Sequence, residues 1–184
     1  MVIIGITGSF GSGKSTVARM LAKMGKGYLI DADRIAKKLV NGEVRAKLIK
    51  EFGTFNSKKL AEMVFSDKAR LKKLNAIVHP LVKKEISKQI ENSNACLIII
   101  DAPLLIEAGI RTDKLVVVKA SKGKRSERLK KRFENKDIIK RDKAQMSITR
   151  KLEHADFVVD NNGPIKDTEK HVKKIWDKIK LMGL

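Results

Sequence analysis

Residues 8–16 read GSFGSGKST. Three glycines and two serines around one phenylalanine leave the backbone nearly bare, and a lysine with two hydroxyls closes the stretch. Gly8, Gly13, Lys14 and Ser15 satisfy the spacing G-x-x-x-x-G-K-S of a phosphate-gripping loop, with an apolar strand before it and a helical pattern after it. Main-chain N–H groups can wrap a phosphate only where side chains do not intrude, which suits Gly8, Gly11, Ser12 and Gly13. A helix starting near Lys14 aims its free N–H groups at the same anion. In that geometry Lys14 bridges β- and γ-phosphate oxygens, Ser15 offers a hydroxyl to Mg²⁺, and Thr16 reaches the α-phosphate. The stretch therefore points to a nucleoside triphosphate with Mg²⁺.

A second acidic signal follows at Asp31 and Asp33, in "DAD" after the apolar "GYLI". Ligands of open parallel sheets bind beyond the carboxyl ends of the strands, so a carboxylate there can orient and deprotonate an acceptor hydroxyl. Asp31 also fits an N-cap for the helical "RIAKKLV". Asp33 falls inside the first turn and is the better base. Asp101 ends a third apolar strand, where either a water-mediated hold on Mg²⁺ or a plain strand-end turn is open.

The elements that must position these residues follow from periodicity. Apolar runs at 2–6, 27–30, 96–101, 114–120 and 157–160 alternate with helical stretches. Continuous apolar strands separated by helices predict an α/β fold, a three-layer arrangement with a five-stranded parallel sheet covered on both faces. Two gaps exceed what a crossover needs. Residues 32–92 are helical throughout, with Pro80 predicting a kink or break near Val78 or His79. Residues 121–152 are helical and basic. The tail 167–182 is amphipathic, with Val172, Ile175, Trp176 and Ile179 at helical spacing. Cys96 lies in the apolar "ACLIII" and is expected in the core.

The formal net charge is +20 over 184 residues. Between Lys119 and Lys151 fourteen Lys or Arg face four Asp or Glu. Charge concentrated this way fits a polyanionic partner better than general solubility. A nucleic-acid module would interleave aromatics with the cations, and here only Phe133 does so. A GTPase would need Asn-Lys-x-Asp, and "ENKDI" has its aspartate one place early. One cysteine excludes an internal disulfide. No run reaches the roughly 18 apolar residues of a membrane span, so the chain is expected to be cytoplasmic, with neither nucleic acid nor membrane as partner.

Taken in order, five segments resemble the dephospho-CoA kinase family: "GITGSFGSGKSTVA", "DADRIAKKLV", "LAEMVFSDKARLKKLNAIVHPLV", "IDAPLLIEAG" and "RDKAQMSITRKLEHADFVVDNNG". The resemblance implies a phosphate-loop kinase with a core of 1–31, 93–120 and 153–184 that holds ATP, a helical insert 32–92 for dephospho-CoA, and a basic lid 121–152. It further implies that Arg128 and Arg132 (R-L-x-x-R), Arg141 (R-x-x-x-Q with Gln145) and Asn162 serve the nucleotide. Lys14, Asp33 and Arg132 would be catalytic. Asp33, His79, Leu104 and Glu107 would lie on the substrate side, with Glu107 alternatively holding a backbone group or a lid arginine. Ser15 and Asp101 would serve the metal. Another small-molecule or nucleoside monophosphate kinase of the same fold is the alternative, which "DAD" and the His-Pro helix disfavour. Two departures stand out. Ser9-Phe10 replaces a small residue and Ile, and "FGTFNSKKLAEMVF" is shortened, with Lys58 and Lys59 where the family has an Arg.

Overall fold

The computed structural model describes residues 1–131 and 133–181, with Asn135 and Lys136 traced in backbone only. The chain forms two compact units: Met1–Ile30 together with Ser93–Leu184, and Asp31–Asn92.

The first unit is built on a five-stranded sheet in the order β2-β3-β1-β4-β5. Its strands are β1 (Val2–Gly8), β2 (Tyr28–Asp31), β3 (Leu97–Asp101), β4 (Lys114–Lys119) and β5 (Phe157–Asp160). Strand β1 runs parallel to β3 and β4, and β4 parallel to β5, with Ile4 level with Ile99 and Lys114. Helices α1 (Lys14–Gly25), α6 (Lys122–Leu129), α7 (Asn135–Lys143), α8 (Ile148–Glu153) and α9 (Ile165–Lys180) complete the unit. The strands are uniformly apolar because both faces are buried. Ile4, Ile6, Leu97, Ile99, Val116, Val118 and Val159 pack with Val17 and Leu21 of α1 and Val172, Ile175 and Ile179 of α9. Ile98, Ile100 and Val117, with the opposite side-chain parity, are equally buried. This is the α/β parallel sheet that the alternation of runs predicts.

The second unit contains α2 (Ala32–Asn41), α3 (Arg45–Phe52), α4 (Ser57–Phe65) and α5 (Lys68–Glu91). Val44, Leu48, Phe52, Leu60 and Val64 form its core, covered by Leu71, Leu74, Ile77 and Leu81 of α5. Three of its helices, α2, α4 and α5, start at side-chain caps: Asp31 accepts from Arg34 N, Asn56 from Lys58 N and Lys59 N, and Asp67 from Ala69 N and Arg70 N. Each cap satisfies N–H groups that the helix itself leaves open. The shortened segment thus has a local purpose: Asn56 starts α4, and Lys58 and Lys59 stand exposed in its first turn.

One expectation is narrowed and one is corrected. Of the kink or break expected at Pro80, the break is absent, because helix α5 runs through it from Lys68 to Glu91. Proline removes the hydrogen bond to the carbonyl four residues back, and both Pro80 and Ala76 are exposed, so water can take that carbonyl. Cys96 is exposed rather than in the core. Burial begins one residue later, at Leu97, although the Cys96 carbonyl already accepts from Val2 N. Among the described residues no helix is long and apolar enough to cross a membrane.

Candidate active site

The loop between β1 and α1 has the backbone that its glycines permit. Gly8, Gly11 and Gly13 have φ of 149°, 78° and 94°. A Cβ on Gly8 would strike the Val118 carbonyl oxygen, and one on Gly13 would strike Asn161 Nδ2. Gly13 caps α1 without any side-chain acceptor, and the first turn carries no acid. An uncapped helix start of this kind is where an anion binds, although Thr16 N and Val17 N already donate to Gly13 O at 3.0 and 3.2 Å. Within the loop, Ser12 N donates to Ser9 O at 3.1 Å. Lys14, only 8% exposed, folds back so that Nζ donates to Ser9 O at 3.2 Å. Ser15 is exposed and Thr16 half-buried.

Residues far along the chain close around this loop. The side chain of Asn161, just past β5, donates from Nδ2 to Ser12 O at 2.8 Å and accepts from Thr168 Oγ1 at 2.7 Å. Arg128 of α6 donates to Asn161 O at 2.8 Å and to Ser12 O at 3.4 Å. Arg125, buried, donates to Phe10 O at 3.1 Å and pairs with Asp142 at 2.6 Å. The Phe10 and Phe133 rings meet edge to face at 5.1 Å, and the Arg141 guanidinium lies 5.1 Å and 4.9 Å from their centroids. Gln145 Oε1 and Ser12 Oγ are buried without hydrogen-bond partners among the described residues.

Beneath the loop, Lys151 of α8 is fully buried. Its Nζ donates to Thr7 Oγ1 at 3.3 Å and to the Pro103 carbonyl, and pairs with Glu107 at 3.2 Å. Glu107 Oε1 also accepts Met146 N at 2.8 Å. Burial holds the Lys151 ammonium below its ordinary value, partly opposed by Glu107 and then Asp142. Among the described residues, Glu107 therefore holds a backbone N–H of the basic segment and a lysine.

The other predicted residues fall as follows. Asp101 is buried at the end of β3, level with Ile6. Leu104 is half-buried in the segment that follows. Asn162 turns away from the loop: its Oδ1 accepts Ser121 N at 2.7 Å and its Nδ2 donates to Asp160 at 2.7 Å. Burial alone would raise the Asp160 carboxyl, but bonds from Asn162 and the Lys119 cation outweigh it and hold it below its ordinary value. Asp31, Asp33 and His79 belong to the second unit. Asp31 is the cap of α2, Asp33 is exposed in its first turn, and His79 is half-buried on α5. Arg132 lies outside the described residues. The structure thus gathers Gly8, Gly11, Ser12, Gly13, Lys14, Arg128 and Arg141 into one place, together with Arg125, Asn161, Phe133 and Lys151, which residue patterns alone did not single out. The "NNG" segment was the one available signal for Asn161. Lys151 had none, being one of fourteen cations in its stretch.

The family model for dephospho-CoA kinase matches residues 2–167. The chain is similar to the dephospho-CoA kinase of Aquifex aeolicus (strain VF5), with 39% identity over 190 residues covering 96% of each. Among solved structures, it is similar to a protein from Thermus thermophilus, with a TM-score of 0.79, 33% identity and coverage of 96% of this chain and 97% of that one. It is also similar to a dephospho-CoA kinase from Campylobacter jejuni, with a TM-score of 0.68, 25% identity and coverage of 99% and 98%.

Proposed function

The chain belongs to the dephospho-CoA kinase family, and from that premise we propose that it transfers the γ-phosphoryl group of ATP to the ribose 3′-hydroxyl of dephospho-CoA, giving CoA and ADP. The observation that carries the nucleotide half of this proposal is the phosphate loop itself, with bare glycines at positive φ, an uncapped helix start and Lys14 held at 3.2 Å from Ser9 O. Phosphoryl transfer asks little covalent chemistry of a protein, so positioning and charge stabilisation supply most of the rate. Main-chain N–H groups of Gly11, Gly13 and Ser15 would wrap the phosphates. Lys14 would leave Ser9 O for the β- and γ-oxygens. Arg128, Arg141 and Arg132 would carry charge on the moving group, and segment 121–152 would act as a lid.

In the chemical step the 3′-oxygen bonds to the γ-phosphorus while the bond from that phosphorus to the β–γ bridging oxygen breaks. The proton of the hydroxyl passes to Asp33. Asp33 and His79 would serve dephospho-CoA, as would Leu104 and Glu107. Mg²⁺ fits the donors present. Among the described residues no group of three or more His, Cys, Asp or Glu could hold a metal, whereas Mg²⁺ needs only one or two hard protein oxygens beside phosphate and water. Ser15 would supply a hydroxyl and Asp101 a carboxylate behind a water. When bound, the ion neutralises charge on the β- and γ-phosphates.

A substrate panel read by ADP release tests the proposal. Dephospho-CoA should exceed nucleoside monophosphates and small alcohols by at least about a hundredfold in kcat/KM, equivalent to roughly 2.7 kcal/mol. A product carrying phosphate anywhere but the 3′-position, or a preference for a monophosphate, would overturn it.

A further inference from the structure

The Ser12–Gly13 peptide is held from outside the phosphate loop. Asn161 Nδ2 donates to Ser12 O at 2.8 Å, and Arg128 Nη1 donates to the same oxygen at 3.4 Å. Asn161 is itself fixed at three points. Its Oδ1 accepts from Thr168 Oγ1 of α9 at 2.7 Å, its main-chain N donates to Lys119 O at 2.9 Å, and its carbonyl accepts from Arg128 Nη2 at 2.8 Å. Ser12, Asn161 and Thr168 are all buried. The reverse orientation of the amide would set Oδ1 against Ser12 O, two acceptors with no proton between them, so Nδ2 faces the loop and Oδ1 faces Thr168. A Cβ on Gly13 would strike Asn161 Nδ2. The Asn161 contact thus requires glycine at that position, as does its φ of 94°.

We propose that Asn161 is a positioning residue for phosphoryl transfer, aiming the Gly13 N–H at the nucleotide phosphates by holding the carbonyl of the same peptide. This rests on the proposed reading in which the Gly13 N–H wraps a phosphate. The physical case starts from planarity. In a trans peptide the C=O and N–H point in opposite directions and turn together. Whatever fixes Ser12 O therefore fixes the Gly13 N–H. Glycine makes that peptide easy to turn, because no Cβ restricts it. A turned peptide would present its carbonyl oxygen to the anion and exchange attraction for repulsion. Asn161 opposes that turn from the carbonyl side, so it uses no donor that the phosphate needs. Thr168 holds the amide in turn, which links α9 to the loop through one side chain. A donor set in place beforehand costs no reorganisation when the anion arrives.

The test is ADP affinity by isothermal titration, beside steady-state kinetics with ATP and dephospho-CoA. N161L keeps much of the side-chain volume and loses the donor. T168V leaves Asn161 in place and removes its anchor, and T168S keeps the hydroxyl. N161L should weaken ADP binding and lower kcat/KM, each by about tenfold or more, the loss expected when one hydrogen bond to a charged phosphate is misaimed. T168V should lose about threefold in both, and T168S should stay within about twofold of the parent protein. In the N161L background, T168V should weaken ADP binding no further. Circular dichroism and melting check that each variant folds. An N161L protein with a lowered Tm but ADP affinity within about twofold of the parent would overturn the proposal and leave Asn161 a packing residue. Full additivity of N161L with T168V in ADP affinity would overturn it too. If N161L does not fold, T168V carries the test, and an unchanged ADP affinity there overturns the proposal. Each of these outcomes leaves the kinase reaction intact where the parent protein turns over dephospho-CoA. A parent protein that binds no ADP would remove the phosphate-loop reading first, and the role of Asn161 with it.

Discussion

Replacing Glu107 with Gln isolates the buried cation beneath the phosphate loop. Lys151 is fully buried, its only carboxylate contact among the described residues is Glu107 at 3.2 Å, and the Glu107 side chain is 20% exposed. At that distance and an effective dielectric constant of about 20, two unit charges attract by roughly 5 kcal/mol. Removing one partner of a buried pair typically costs about 3–5 kcal/mol, because the other charge stays without compensation. Gln keeps an oxygen for Lys151 Nζ and for Met146 N, which returns part of the loss as hydrogen bonds. The expected net destabilisation is about 2–3 kcal/mol, or a fall in Tm of about 5–10 °C for a chain of this size.

The opposite substitution should be milder. K151M removes the buried charge and keeps much of the volume. Thr7 Oγ1 still donates to Pro103 O at 3.1 Å, and Glu107 keeps Met146 N at 2.8 Å. A loss within about 1 kcal/mol is expected. The pH dependence has a definite sign. Burial holds folded Lys151 below its ordinary 10.5, with Glu107 the main opposing influence. Between the folded value and 10.5 the unfolded chain binds more protons, so stability rises with pH across that window. Without Glu107 the folded value falls further and the window widens. The penalty of E107Q should therefore shrink as pH is raised toward 10.5. Thermal melts of E107Q, K151M and the parent protein at pH 7 and pH 10 decide it. An E107Q protein within about 2 °C of the parent, or K151M falling further than E107Q, would refute the reasoning.

Lys14→Ala should reduce kcat/KM by more than about tenfold with the fold intact by circular dichroism, since it removes a cation that acts on the phosphates. Asp33→Asn should lower kcat by about a hundredfold or more with little change in KM for ATP, whereas Asp31→Asn should act mainly on stability, by about 1 kcal/mol through the α2 cap; swapped phenotypes would move the base to Asp31. Asp156 accepts Leu115 N at 2.8 Å and Lys114 Nζ at 3.0 Å, and although burial alone would raise its carboxyl, these bonds hold it below its ordinary 3.8. Its contribution is present above pH 3.8 and lost as pH falls through the folded value, so D156N should flatten the acid limb of a pH–stability curve and cost about 1 kcal/mol at pH 7.

What could be seen in the sequence was whatever one segment encodes alone. The run Leu97–Asp101 is buried at every position, so it is apolar at every position and reads as a covered strand. The phosphate loop reads clearly because its backbone conformation demands glycine at fixed places. Asp31 reads as a cap because capping joins residues three apart. Cys96 misled because an apolar run does not mark where burial starts. Pro80 does not break α5 because its exposed side of the helix can shed a hydrogen bond to water. The contacts that shape the site escaped for a different reason. Asn161 meets Ser12 across 149 positions, Lys151 meets Thr7 across 144, and Arg125 meets Phe10 across 115. No periodicity links such pairs; only the parallel sheet, which brings the loops after β1, β3, β4 and β5 to one end, places them together.

That convergence also changes what the positive charge of 119–151 means. By count, the stretch looks like a reservoir of cations waiting for phosphate. In the fold, Arg125 is committed to Asp142 and Phe10 O, and Lys151 to Glu107, Thr7 and Pro103. Arg128 spends donors on Ser12 O and Asn161 O. These cations fasten the segment to the loop through groups a nucleotide does not contact. A buried cation fixed to carbonyls has no freedom to follow a phosphate, but it raises the local potential while costing no reorganisation when the anion arrives. The basic stretch is thus in part structural: cations held by carboxylates and carbonyls build the platform on which the phosphate loop sits.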